Sequence, residues 1–219
     1  MNTNIVLFDF DGTIVDSAPI IMQAVVDTLD ELGLPPQSDE QLRAWVGPPL
    51  FHSFRDFAKV DPAHIDDAIA TYRRHYRQTM YDAPFFPGVR EAIQELHKLG
   101  FPLAIATSKT ETMAKPIATH AGLDPYFKHV VGSTNDSAHQ SKAAVIADAL
   151  NLLEADGYNR AGAIMIGDRI HDVEGAIANH LDVIGVLWGG TDPREFETAT
   201  TAVATPDELV ETIIQRTKK

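Results

Sequence analysis

Four aspartates, two lysines and two hydroxyls stand where a chain of alternating strands and helices collects its chemistry. Asp9 and Asp11 follow the apolar run Ile5-Val6-Leu7-Phe8. Thr107, Ser108 and Lys109 follow a second run, Leu103 to Ala106. Lys142 opens a helical stretch after a short third run, and Asp168 and Asp172 follow a fourth, Ala163 to Ile166. In an open parallel sheet, ligands bind beyond the carboxyl ends of the strands, so these side chains are expected to converge. Four converging carboxylates repel one another and must take up protons or bind a cation. Oxygen-only ligands, with no His or Cys, suit Mg²⁺. Such an ion screens a phosphate dianion from the carboxylates, and one carboxylate can then attack phosphorus. A hydroxyl and backbone N–H groups after the second strand can hold phosphate oxygens, and Lys142 can neutralise charge.

The elements that must position these groups follow from periodicity. Ile5 to Phe8 reads as a fully buried strand, closed by the turn at Gly12. Residues 17–82 are helical throughout. Ile20, Ala24, Val25, Thr28, Leu29 and Leu32 share one face of a first helix that stops at Gly33. Ser38 and Gln41 form a capping-box pattern for a second helix, and Gly47-Pro48-Pro49 breaks the chain. Asp61-Pro62 opens a third, with Ile65, Ile69, Tyr72 and Tyr76 along one side. Pro84 and Pro87-Gly88 mark the return. Helices then run Val89 to Leu99, Glu111 to Ala121 with Pro116 inside, Lys142 to Leu153, and onward from His171. Strands run Leu103 to Ala106, His129 to Val131, Ala163 to Ile166 and, as the last, Val183 to Leu187. The alternation predicts an α/β fold, a Rossmann-like three-layer sandwich with a central parallel sheet and an inserted α-helical cap domain. The core is expected over 1–16 and 83–219, and the cap over 17–82.

Composition narrows the chemistry further. The chain has 219 residues, of which 44% are hydrophobic, enough for a compact core and a smaller insertion. It has no cysteine, which excludes disulfides, thiolate zinc sites and cysteine-nucleophile phosphatases. No Arg-His-Gly triplet or Walker-type glycine loop is present. A formal charge of −13 and the lack of a basic stripe argue against nucleic acid as a partner. No apolar stretch approaches the ~20 residues of a membrane helix, and the first residues lack a signal-peptide pattern. A cytoplasmic protein without a membrane or nucleic-acid partner is expected, monomeric by default with a dimer allowed.

Asp9-Phe10-Asp11-Gly12-Thr13-Ile14-Val15-Asp16-Ser17 resembles the first motif of the haloacid dehalogenase-like superfamily. Ala106-Thr107-Ser108 resembles its second motif and Lys142 its third. Gly167-Asp168-Arg169-Ile170-His171-Asp172 resembles the fourth, an acid pair four residues apart. The helical insertion, with Gly47-Pro48-Pro49-Leu50, is similar to the small cap of the phosphoglycolate phosphatase-like branch, which includes 5′-nucleotidases. The resemblance implies a magnesium-dependent phosphatase acting on a small phosphorylated metabolite through a phospho-aspartate. Asp9 would be nucleophile and metal ligand. Asp11 would protonate the leaving oxygen, activate water and lend its backbone carbonyl to the metal. Thr107, Ser108 and Lys142 would bind phosphate, and Asp168 and Asp172 would serve the metal, Asp172 directly or through water. The cap would close over the site and select the substrate.

Plainer readings stand beside these. Thr107 could be a turn hydroxyl, and Ser108 and Lys109 read equally as phosphate contacts or turn residues. Lys142 could be a surface lysine near a helix start, but the dipole there disfavours a cation, which supports a functional role. His171 reads as an exposed first-turn histidine, and Arg73-Arg74 as a solvated helix face. Gly47-Pro48-Pro49 reads equally as a pocket wall or a mere break between helices. Two other functions fit the same groups. A sugar phosphomutase shares the core but would need a cap that holds a phosphorylated sugar. A receiver-like signalling module also forms a phospho-aspartate, but after a central strand of a shorter, capless domain.

Overall fold

The computed structural model describes residues 4–134 and 141–217. Residues 1–3, 135–140 and 218–219, all within the expected core, lie outside the described residues. The first strand, β1 (Val6–Phe8), leads into the insertion. Four helices follow: α1 (Ala18–Glu31), α2 (Asp39–Arg43), α3 (Leu50–Asp56) and α4 (Ile65–Thr79). The chain then alternates through α5 (Val89–Lys98), β2 (Leu103–Thr110), α6 (Glu111–His120), β3 (Phe127–Ser133), α7 (Lys142–Ala155), β4 (Ile164–Gly167), α8 (Ile170–Ala178) and β5 (Asp182–Val186). It closes with β6 (Thr201–Val203) and α9 (Pro206–Arg216).

The six strands form one parallel sheet in the order β3-β2-β1-β4-β5-β6. β1 therefore lies inside the sheet, and the chain builds outward from it first on one side and then on the other. Its register pairs Phe8 with Ile105 of β2 and with Ile166 of β4. Asp9, Thr107 and Asp168 thus emerge together just past those paired residues.

Both faces of the sheet are covered, which is why its strands read as unbroken apolar runs. Val6, Phe8, Leu103, Ile105, Ile164 and Ile166 pack with Ile93, Leu96, Ile117 and Ile213 on one side. Leu7, Ala104, Ala106 and Met165 pack with Val145, Ile146, Leu150 and Val173 on the other. Each large aliphatic or aromatic side chain so buried contributes about 1.5–3 kcal/mol relative to exposure.

The insertion has its own apolar contacts, yet they run on into the first of these clusters. Trp45 packs edge-on against Phe54 at 4.9 Å, and Tyr72 stacks on Tyr76 at 5.8 Å. The Ser38–Gln41 capping box opens α2 as its sequence suggests. The chain leaves and re-enters the sheet side by side: Asp16 N–H donates to the Pro84 carbonyl at 2.8 Å, and Phe86 N–H to the Ile14 carbonyl at 3.2 Å.

Three elements differ from the sequence reading. The strand at Val183 is not the last, because β6 pairs with β5 beyond it. Its Thr-Ala-Val segment is three residues long with an exposed Ala202, so it carries no apolar run. α9 follows, its Thr205–Glu208 capping box legible in principle as Thr-x-x-Glu. α3 is a seven-residue helix directly after Pro49, too short to establish a period.

Candidate active site

The site is built at the carboxyl ends of β1, β2 and β4. Carboxylate oxygens of Asp9, Asp168 and Asp172 lie within 4.8 Å of one another, and all three residues are buried. Glycine makes the convergence possible. Gly12 has φ +83°, and a Cβ there would stand 2.2 Å from Asp168 Oδ2. A Cβ on Gly167 would stand 2.2 Å from the Asp172 carboxyl carbon.

Asp9 and Asp172 share one lysine, while Asp168 is held by hydroxyls. Lys142 Nζ lies 2.5 Å from Asp9 Oδ1 and 2.7 Å from Asp172 Oδ1. These two carboxylates offset the unfavourable placement of a cation in the first turn of α7. Asp172 Oδ2 also accepts the Arg169 N–H at 3.1 Å, capping α8. Asp168 accepts from Thr13 Oγ1 at 3.2 Å and from Thr191 Oγ1 at 3.5 Å. Trp188 Nε1 donates to the Thr13 carbonyl at 3.0 Å and so steadies that turn. Thr107 is buried, and its hydroxyl accepts the Lys109 N–H at 3.2 Å.

The electrostatics record an excess of negative charge. Burial pushes the Asp9 carboxyl up to about 6; Lys142 pulls it down, and Asp172 and Asp11 push it further up. Burial, then Asp9 and Asp172, raise Asp168 well above the usual carboxylate range. Burial lowers Lys142, but Asp172 and Asp9 outweigh it and hold the ammonium charged. One lysine among three buried carboxylates leaves charge uncompensated, and a hard divalent cation with oxygen ligands fits the gap.

Asp11 stands apart from this trio. Its Oδ2 lies 3.1 Å from Lys109 Nζ, while its Oδ1 is buried without a hydrogen-bond partner among the described residues. A cavity of about 410 Å³ opens from Asp9 and Asp11 toward the insertion. Thr107, Ser108 and Lys109 line its sheet end, and Trp45, Phe51, Ile69 and Tyr72 its far walls.

The structure sorts the undecided residues. Gly47-Pro48-Pro49 lines the cavity. Arg73 lines it too, whereas Arg74 pairs with Glu31 at the surface. His171 is exposed and faces Glu174 at 3.7 Å. Sequence reasoning did not reach Thr191, Trp188 or Glu195. The first two follow β5, where the strand-end rule applies equally.

A family model described as haloacid dehalogenase-like hydrolase matches residues 6–186. A protein of Mycobacterium tuberculosis named tyrosine-protein kinase PtkA is 35% identical over 214 residues, 95% of this chain and 72% of that protein. A 5′-nucleotidase of Pseudomonas aeruginosa is 35% identical over 185 residues, 84% of this chain and 82% of that protein. A phosphoglycolate phosphatase of Pseudomonas putida is 29% identical over 210 residues, 93% of this chain and 76% of that protein. Among solved structures, a predicted phosphatase from Clostridium acetobutylicum superposes with a TM-score of 0.89 at 34% identity, covering 98% of this chain and 100% of that one. The chain belongs to the haloacid dehalogenase-like hydrolases and is an enzyme of their phosphatase kind.

Proposed function

We propose that the protein is a magnesium-dependent phosphatase that hydrolyses a small phosphomonoester through a phospho-aspartate on Asp9. The observation that carries this reading is Asp9 itself. It is a buried carboxylate at the end of β1, with Oδ1 tied to Lys142 and two further carboxylates within reach of one cation.

Lys142 holds Oδ1, which leaves Oδ2 of Asp9 to attack phosphorus. The bond from phosphorus to the leaving oxygen breaks, and Asp11 gives that oxygen a proton. Asp11, now a carboxylate, takes a proton from water as the water oxygen attacks phosphorus. The bond to Asp9 breaks and phosphate leaves. Thr107, Ser108, the backbone N–H groups after β2 and Lys142 hold the phosphate oxygens. Asp9, Asp168 and Asp172, with the Asp11 backbone carbonyl, would hold Mg²⁺. When bound, the ion screens the phosphate dianion from these carboxylates.

Residues 17–82 would act as a cap domain on a core of 1–16 and 83–219, hinged where Asp16 and Pro84 meet. The cavity between them accepts a compact leaving group, phosphoglycolate-like or a nucleoside. The protein would work as a monomer in the cytoplasm without nucleic acid or membrane. Among the described residues no helix is long and apolar enough to cross a membrane.

The mycobacterial relative is named for transfer to tyrosine, and the same nucleophile can pass phosphate to any hydroxyl that reaches it. Phosphate release from a panel of phosphomonoesters, with Mg²⁺ and with EDTA, decides between water and another acceptor. Magnesium-dependent release that Asp9→Asn abolishes supports the proposal. Full activity in Asp9→Asn, or phosphate appearing only on tyrosine peptides, would overturn it.

A further inference from the structure

Lys109 lies at the junction between the sheet and the insertion. Its side chain is almost wholly covered. Its Nζ reaches Asp11 Oδ2 at 3.1 Å and Tyr76 Oη at 2.9 Å, and stands 4.5 Å from the centre of the Tyr76 ring. Tyr76 belongs to α4 of the insertion and is buried against Tyr72. One ammonium therefore joins the residue proposed as acid and base to an aromatic group of the insertion. Buried ammonium groups require such partners, and these two supply a charge, a hydrogen bond and a ring face.

The backbone is shaped to deliver this lysine. The register between β2 and β3 shifts between Thr107 and Thr110, so Ser108 and Lys109 bulge out of the ladder. The bulge presses on Gly132 of β3, where a Cβ would stand 2.5 Å from the Lys109 carbonyl oxygen. Ser133 Oγ fastens the same bulge by donating to the Ser108 carbonyl at 3.0 Å. A regular strand would continue the ladder here instead of turning two successive residues out of it.

We infer that Lys109 is a positioning residue for Asp11, set by Tyr76 of the insertion. Resting on the phosphatase reading above, it fixes Asp11 Oδ2 and thereby sets how the carboxyl is presented to the reacting oxygen. The orientation of Asp11 then depends on α4 lying over the sheet, which couples the acid–base step to the placement of the insertion.

The test uses p-nitrophenyl phosphate, whose leaving group departs without a proton. Phosphorylation of Asp9 then needs little from Asp11, while water attack on the phospho-aspartate still needs it. Rapid-quench measurements on the full chain with Mg²⁺ would compare the wild type with Lys109→Met, Lys109→Arg and Tyr76→Phe. The expected result for Lys109→Met is a burst of one p-nitrophenolate per active site, then turnover reduced about tenfold to a hundredfold with little change in KM. Lys109→Arg recovers part of the loss. Tyr76→Phe, which keeps the ring and its stacking, shows the same pattern more weakly. Wild-type turnover in Lys109→Met, or loss of turnover without a burst, would overturn the inference. A wild type that releases no phosphate from any ester would instead sink the phosphatase reading itself.

Discussion

Arg169 Nη1 donates a 2.7 Å hydrogen bond to the carbonyl of Val46, tying the loop after β4 to the insertion. Its Nε lies 3.2 Å from Glu195 Oε2, an oxygen that also accepts the Ile170 N–H at 2.7 Å. Val46 immediately precedes Gly47-Pro48-Pro49, the turn that lines the cavity. The neighbour of Asp168 thus holds a wall of the pocket. A hydrogen bond to a charged donor is worth about 1.5–3 kcal/mol, and about 1.4 kcal/mol is a factor of ten in binding. Arg169→Met is expected to raise KM about tenfold with kcat changed much less. A fall in kcat at unchanged KM would mean that Arg169 acts on the chemistry through Asp168.

Gly12 combines a close approach to the acid cluster with a left-handed backbone. Gly12→Ala would place a methyl 2.2 Å from Asp168 Oδ2 at φ +83°. Gly190 has φ +79° with nothing within 4 Å of a Cβ, so Gly190→Ala isolates the backbone strain alone. That strain costs about 1–2 kcal/mol. Both variants are expected to lose stability, and Gly12→Ala to lose magnesium-dependent activity at least tenfold besides. Equal activity in the two variants would show that the position of Asp168 is not critical.

Asp9, the proposed nucleophile, destabilises the metal-free protein. The folded Asp9 carboxyl sits at about 6 against an ordinary 3.8, so between those values the folded state binds more protons than the unfolded one. Stability therefore falls as pH rises through that window, by about 3 kcal/mol once neutral pH is reached. Asp9→Asn is expected to melt several degrees above the wild type at pH 7 without Mg²⁺, and no higher at pH 3. Magnesium should raise the wild-type Tm and narrow the gap. An Asp9→Asn protein that melts lower at pH 7 would show that the Lys142 ion pair outweighs the desolvation of Asp9.

The strand ends made the acid cluster legible. Asp9, Thr107 and Asp168 each follow a buried apolar run, and parallel topology alone sends such residues to one edge. Lys142 could be singled out because its helix-start position disfavours a cation. The partner of Lys109 was not legible, since Tyr76 is 33 residues away on a separate helix. The bulge that aims Lys109 depends on the β2–β3 register, which no local pattern encodes. Arg73 and Arg74 are adjacent and chemically alike, yet one lines the cavity and the other pairs with Glu31. Only the packing of α4 against α1 separates them. β6 was invisible for the opposite reason, because a short half-exposed edge strand needs little apolar patterning.

Glu31 ties the two long helices of the insertion together. It leaves the end of α1 and pairs with Arg74 and His75 of α4, the histidine at 2.9 Å. Hydrogen bonds from Arg74 and then His75 hold its carboxyl below the ordinary 4.5. A depressed carboxyl stabilises the fold above its unfolded value and loses that contribution as pH falls through its folded one. The group is exposed, so solvent and salt screen the gain. Glu31→Gln is expected to lower Tm slightly at pH 7 in low salt. The difference should shrink in high salt and disappear as pH falls through the folded carboxyl's depressed value. Because α4 carries Tyr76 and Arg73, the same variant should loosen the cavity wall, which a modest rise in KM at constant kcat would report. A Tm difference that persists unchanged at low pH would mean that Glu31 acts through its packing rather than its charge.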